Sequence, residues 1–351
     1  MRNAVIATCA AAAAVLAVPA HAQERYTLDG DRVAVYNLAG RVRVEAGGGG
    51  AVVVELTRGG EDARELSVRR GESNGFRHLA VSYPGDRVVY SPMGRWSNTT
   101  VEVRDDGTFG GDQRLFGRGR RVGIHGSGGG TRAWADVRVL VPAGRTVAIH
   151  QAVGRVDVSN VRGDLRVMTH AAAITASGTR GPLNLDTGSG GIELTDADGE
   201  NVRLDTGSGG VRVTNVRSSG LLDIDTGSGG VEGTGVAVGR LHVDVGSGGV
   251  RLDGVDARNV DIDTGSGSVN LRLRSDAEYV KIDTGSGGVV LALPSNFGAD
   301  TDSDTGSGGI HVDFPSTVRR STRDHFTGTI GDGQGRLIID TGSGGVRVVR
   351  S

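Results

Sequence analysis

A seven-residue phrase, Asp-Thr-Gly-Ser-Gly-Gly followed by Val or Ile, returns along this chain at an almost fixed interval. Full copies begin at Asp186, Asp205, Asp225, Asp283, Asp304 and Asp340, with near copies at Asp244 and Asp263. Successive starts lie 19, 20, 19, 19, 20, 21 and 36 residues apart. A period of this size marks a solenoid, because one repeat cannot bury its apolar side alone and must stack on its neighbours.

Aligning the copies exposes aliphatic columns. Leu185, Leu204, Ile224, Val243, Ile262, Ile282 and Ile339 stand one residue before the aspartate, and Leu183, Val202 and Leu222 open the column three before it. Ile192, Val211, Val231, Val250, Val269, Val289, Ile310 and Val346 stand six after it, and Leu194 and Val213 open the column eight after it. Arg, Glu, Asp, Asn or His fill the places between. This period-2 alternation predicts short strands with one face buried. The expected fold class is an all-β parallel solenoid of ~19-residue rungs stacked ~4.8 Å apart, like residue above like. Ten corners, at His150, Met168 and the eight aspartates, give nine steps and a rod of roughly 43 Å. The corner glycines (Gly188, Gly190, Gly207, Gly209, Gly227, Gly229, Gly285, Gly287, Gly342 and Gly344) are expected to supply positive φ at a sharp bend.

Four segments follow. Residues 1–22 carry Arg2, an apolar run from Ala4 to Val18 and Ala20-His21-Ala22, the outline of an export signal cleaved before Gln23. Cys9, the sole cysteine, lies inside it, so the mature chain would hold no disulfide. Residues 23–84 repeat the outline in weaker form, as in Tyr36-Asn-Leu-Ala-Gly-Arg-Val42. Residues 85–131 break it with a Gly/Arg-rich insertion holding Arg114, Arg118, Arg120, Arg121, Trp96, Phe109 and Phe116, expected to be a loose lobe. The repeats occupy 132–351, with a second insertion over 313–336. No segment after the signal is long and apolar enough to span a membrane.

The stretch from Val141-Pro142-Ala143-Gly144 through Val153-Gly154-Arg155-Val156-Asp157-Val158, then Leu293-Pro294-Ser295-Asn296-Phe297 and the closing Leu337-Ile-Ile-Asp-Thr-Gly-Ser-Gly344, resembles the bacterial β-strand-repeat family of adhesin-like proteins, whose function is largely unassigned. The resemblance covers about 135–350 and extends faintly over 25–85. It implies a β-solenoid in an exported protein and carries over no catalytic residue.

The phrase Asp-Thr-Gly-Ser also opens the active-site loops of pepsin-like proteases, which need two carboxylates sharing one proton. Those enzymes take one loop from each of two lobes; a phrase repeated every 19 residues is expected to be a corner instead. The carboxylates of Asp186, Asp205, Asp225, Asp263, Asp283 and Asp304 form a weak alternative as calcium ligands. Each rung offers one carboxylate where calcium takes six to eight oxygens, and the glycines follow the aspartate rather than precede it. The favoured role for the aspartate is an Asx turn capping corner N–H groups. The threonine file (Thr187, Thr206, Thr226, Thr264, Thr284, Thr305, Thr341) suits packing better than ice binding, since Val245 replaces it once. The eight histidines, His150 and His170 included, show no metal-ligand spacing, and no cofactor is expected. Trp96 and Trp134 are expected in core or capping roles.

A net charge of -2 argues against nucleic acid as a partner. The expected function is a non-enzymatic exported scaffold, adhesin-like, holding a protein or cell-surface ligand in the periplasm, at the outer surface or outside the cell. One alternative is a carbohydrate-active β-helix enzyme with its site on the insertions. Another is an envelope component that stacks end to end through the bare strand edges of its terminal rungs.

Overall fold

The computed structural model describes residues 23–110 and 119–351. The expected export signal, with Cys9, and Arg114, Phe116 and Arg118 of the insertion lie outside the described residues. The fold is all-β and solenoid-like: apart from two short 3-10 turns, Ala63–Glu65 and Ser91–Met93, its regular elements are strands. Through the repeats, like pairs with like in parallel register. Val167 lies beside Leu185, then Leu204, Ile224, Val243, Ile262 and Ile282. This column is wholly buried, and each such side chain withdrawn from water stabilises by about 1.5–3 kcal/mol. A rung comprises one strand before the corner, such as Leu183–Thr187, and one after it, such as Ile192–Thr195. A third short run, where Asp198 and Gly199 pair with Arg217 and Ser218, closes the turn before a register shift.

The rungs do not stack in chain order at the ends. Ile282 pairs with Ile339, and Ile339 with Ser303. The C-terminal rung, Gly335–Thr341 and Val346–Arg350, therefore slots between the rung of Tyr279–Thr284 and that of Ala299–Thr305. The N-terminus mirrors this: Arg32–Ala46 lies between Arg145–Ser159 and an outer rung made of Phe76–Ser82 and Trp134–Val141. Antiparallel strands cover both outer rungs. Val52–Gly59 and Ser67–Ser73 do so at one end, and the hairpin of Ser316–Ser321 and His325–Ile330 at the other. The second insertion is thus a cap over Ala299–Thr305, whereas Ile310–Val312 pairs only with Val346–Arg350 among the described strands and keeps one parallel edge open. The outermost strands carry exposed Arg69, Arg70 and Glu72 at one end and Arg319 and Arg320 at the other, charges that discourage further strand pairing.

Two further expectations are corrected. None of the ten corner glycines adopts a left-handed φ. Glycine is required there because a Cβ would strike the rung below: on Gly188 it would lie 2.6 Å from the His170 carbonyl oxygen, and on Gly209 or Gly229 it would collide with the carbonyl of Gly190 or Gly209. Left-handed residues mark the opposite corner instead, at Asn160, Gly178, Asp196, Asn215, Gly235 and Gly254. Nor is the first insertion loose where it is described. Arg87–Val89, Asn98–Val103 and Arg120–His125 form a three-stranded sheet, with Val88, Val101, Val122 and Ile124 buried beneath it.

Candidate functional site

Strand alternation decides what each member of the phrase does. Leu185 and Thr187 point inward, so Asp186 between them points out. The threonines, not the aspartates, satisfy the corner. Thr206 Oγ1 donates to the Gly190 carbonyl of the rung below at 2.8 Å and accepts from its own Gly209 N–H at 3.0 Å. Thr187, Thr226, Thr264 and Thr305 repeat both bonds. The other corner amides bond to the rung below, as Gly207 N–H does to the Thr187 carbonyl at 3.1 Å. The Asx turn is therefore replaced by a hydroxyl bridge, and the buried threonines present no flat exposed face to ice.

The aspartates form one outward file in register: Asp186, Asp205, Asp225, Asp244, Asp263, Asp283, Asp340 and Asp304. Burial, together with flanking carboxylates, raises the pKa of Asp186, Asp225, Asp263 and Asp340. Arg203 relieves the file near Asp205, at 3.5 Å, and His325 near Asp304, at 3.0 Å. Among the described residues no three His, Cys, Asp or Glu side chains converge to hold a metal, so the file lacks the convergent oxygens that a calcium ion takes. Its carboxylates stand along a single wall rather than facing one another across a cleft, as a protease pair would.

Towards the N-terminus the same file continues as Met168, His150, Tyr36 and Ala80. The insertion lobe lies on it. Phe109 packs edge-on against Tyr36 and His150 at 5.7 and 6.2 Å, and close to His170 at 6.1 Å. Tyr36 stacks on His150 at 4.2 Å and meets His78 at 5.9 Å. The aspartates stop where the lobe begins because an ionised carboxylate there would be buried without a partner. Burial holds the His150 imidazole down to about 3, with Arg104 and His170 adding to it, and burial lowers His170 as well. Both ring nitrogens of His78 are buried without a hydrogen-bond partner among the described residues. Thr169, beside Met168, still donates to the Ala172 carbonyl at 3.0 Å, but in the next two rungs amides take over from threonine: Gln151 Nε2 donates to the Gly40 carbonyl at 3.0 Å, and Asn37 Nδ2 to that of Ala135 at 2.8 Å.

The wall beyond the corner is different. Gly191, Gly210, Gly230, Gly249 and Ser268 leave a groove of about 690 Å³ running along seven rungs. Their positions are not crowded as those of Gly190 and Gly209 are; a Cβ on Gly210 would sit 3.4 Å from the nearest atom. Exposed Glu193, Arg212, Glu232 and Arg251 stand in one in-register file beside it. Arg212 and Glu232 pair at 2.7 Å. This file was missed in the sequence, where its members appear only as polar residues between aliphatic ones. The two tryptophans part company: Trp134 packs near Tyr90 at 6.0 Å, whereas Trp96 on the lobe is 86% exposed, with the Arg95 guanidinium 5.3 Å from its ring.

No curated protein matches the sequence. A solved structure of a putative cell adhesion protein from Clostridium sporogenes ATCC 15579 aligns over 94% of this chain and 99% of that one. Its identity is 8% and its TM-score 0.20, too low to bear on fold or function. The Toastrack DUF4097 family matches residues 135–349, which hold all eight aspartate corners and those at His150 and Met168. On that match, over more than half its length, this chain belongs to the Toastrack DUF4097 family.

Proposed function

We propose that the protein is an exported, non-enzymatic, adhesin-like scaffold that holds a protein or cell-surface ligand on its solenoid wall. The observation carrying this reading is the groove: it runs along seven rungs, Gly191, Gly210, Gly230 and Gly249 floor four of them, and alternately charged side chains line it. Neighbouring rungs share backbone ladders, so the charges are presented at a set spacing with little backbone ordering cost on binding. Membership of a repeat family supports a scaffold role in general terms.

The test is capture from cell-envelope extracts by the exported protein, compared with a variant carrying alanine at Glu193, Arg212, Glu232 and Arg251. Loss of the captured ligand is expected. Retention by that variant, with loss on Trp96→Ala, would move binding to the lobe. Deleting the lobe is a poor control, because Phe109 covers Tyr36 and His150. Incubation with a denatured protein at acidic pH addresses the enzymatic reading: the substrate is expected intact, and pepstatin-sensitive cleavage would overturn the proposal.

A further inference from the structure

The order of signs along the groove wall has a geometric consequence. From one rung to the next the file reads Glu193, Arg212, Glu232, Arg251, or minus, plus, minus, plus. Reversed, it reads plus, minus, plus, minus. A second copy laid face to face and antiparallel, about a two-fold axis lying in the interface between Arg212 and Glu232, sets every charge opposite its complement. Glu193 meets Arg251 of the other copy, and Arg212 meets Glu232, each twice. A parallel arrangement would set like on like. We infer that this wall is the interface of an antiparallel homodimer. The inference rests on the wall being an interaction surface and names the partner as a second copy of this chain.

Three observations support that occupant. The match is isologous, as a closed two-fold pair requires, and opposed charges across an interface fix register and exclude wrong partners. Flanking residues also tolerate it. The next rungs outward are Thr175 on one side and Asn270 on the other, which would face each other as neutral polar groups. Within each rung Thr195 would face Asp253, and Thr214 would face Thr234, so no like charges meet there. The glycine floor, finally, leaves room for the long side chains of both copies to lie flat. The pattern also sets a limit. Further out Arg43 would oppose Arg347, so the contact stays within the six rungs from Thr175 to Asn270, a strip of about 24 Å. A strip this short, with charged rather than apolar anchors, sits at the weak end of specific interfaces, with dissociation in the micromolar range or above and strong salt dependence.

Sedimentation of the exported protein tests the inference. At about 100 µM and low salt the wild type is expected to double in mass, and 1 M salt should return it to a monomer. Arg212→Glu alone, or Glu232→Arg alone, should abolish dimers, because each sets like charges opposite at the two central contacts. Mixing these two variants should restore a one-to-one dimer, since the file of one is then complementary to the reversed file of the other. Both sites are exposed, and an unchanged melting temperature will separate lost association from lost fold. A strictly monomeric wild type, or dimers formed equally by either single variant, overturns the inference. If the wild type is monomeric while the four-alanine variant still loses its envelope ligand, the dimer falls and the scaffold reading stands. If the dimer forms as described and that variant captures its ligand unchanged, the dimer stands and the ligand-holding wall falls.

Discussion

The repeat tract from Leu183 onward and the head formed by Arg32–Ser177 share one stacking frame and solve the same outer file in opposite ways. In the tract the file is eight carboxylates facing water. In the head it is Tyr36 and His150 under Phe109 of the lobe, with half-buried Met168 between them and the first carboxylate. Corner carbonyls are met by threonine in one and, beyond Thr169, by Asn37 and Gln151 in the other. Repetition keeps the tract uniform, and its limits are set by backbone against backbone. The head has its own contacts, and burial of particular side chains sets its limits.

The sharpest probe of that difference is a methyl group. Gly209→Ala places a Cβ against the Gly190 carbonyl, and no rotamer can relieve a clash with backbone. A loss of about 3 kcal/mol is expected. Gly210→Ala, one residue along, meets its nearest atom at 3.4 Å, and Ser268 already occupies that column. It should cost under about 0.5 kcal/mol. In the head the same position is mixed: Ala172 carries a Cβ there, whereas a Cβ on Gly154 or Gly40 would meet the Gly40 or Ala135 carbonyl oxygen at 1.9 or 2.1 Å, so the prohibition is unbroken only in the tract. Denaturant midpoints of the two variants, equal within error, would show that close approach is not what selects glycine.

Acid separates the regions next. His150 holds a folded pKa of about 3 against an ordinary 6.5. The fold keeps it neutral while the unfolded chain takes up a proton, so its contribution is complete above 6.5 and lost as pH falls towards 3. Each unit in that window removes about 1.4 kcal/mol of head stability. Hydrogen exchange at pH 7.5 and 5.0, corrected for the pH dependence of the intrinsic amide rate, should show lower protection around Phe109 and His150 at the lower pH, with the repeat strands still protected. His150→Leu should flatten that dependence. Loosening that begins in the tract instead would reverse the comparison.

These tests also show how far the sequence could be followed. The aliphatic columns specify strands, a parallel register and a buried interior, because burial repeats with the period of the chain. Rung order could not be read, since Ile339 fits equally well beside Ile282 or Ser303's neighbour; identical columns carry no label for position. The outline Tyr36-Asn-Leu-Ala-Gly-Arg-Val42 placed Tyr36 in the file of the aspartates correctly. That Phe109 covers it depends on a contact between residues 73 apart, with no periodic signal. The roles of Asp186 and Thr187 were exchanged because both can cap a turn, and only the direction of the side chain separates them. The groove charges were visible as residues but not as a file, since their signs alternate only after stacking.

Removing the corner hydroxyl is a smaller test within the tract. Thr226→Val keeps the shape and strips the Gly209 carbonyl and the Gly229 N–H of a partner. Leaving such groups buried and unsatisfied costs about 1–3 kcal/mol. Val245 stands naturally in this file, which places the expected loss at the low end, about 1 kcal/mol. Gln151→Leu in the head should cost more, since the same side chain also reaches the Val153 carbonyl. A thermal melt of each variant ranks them, and a larger loss for Thr226→Val would make the head the less demanding of the two regions.

The smallest expected effect has the opposite sign. Asp225 lies between Asp205 and Asp244, and its pKa is raised above 3.8 by burial and by those two charges. A raised carboxylate pKa means that the fold binds a proton before the unfolded chain does. Stability from this group therefore rises as pH falls through the folded pKa and is fully gained at about 3.8. Asp225→Asn fixes the uncharged form. It should add about 0.5 kcal/mol at neutral pH, the scale of one exposed charge interaction, and should cancel that group's gain in acid. The stabilisation should shrink as salt is added, because the repulsion it removes is screened. A paired melt at pH 7.5 and 4.5, each at low and high salt, reads all three signs. Destabilisation at neutral pH would mean that the file is held together by cations or hydrogen bonds that favour the charged form, and the tract would then share with the head a dependence on particular partners.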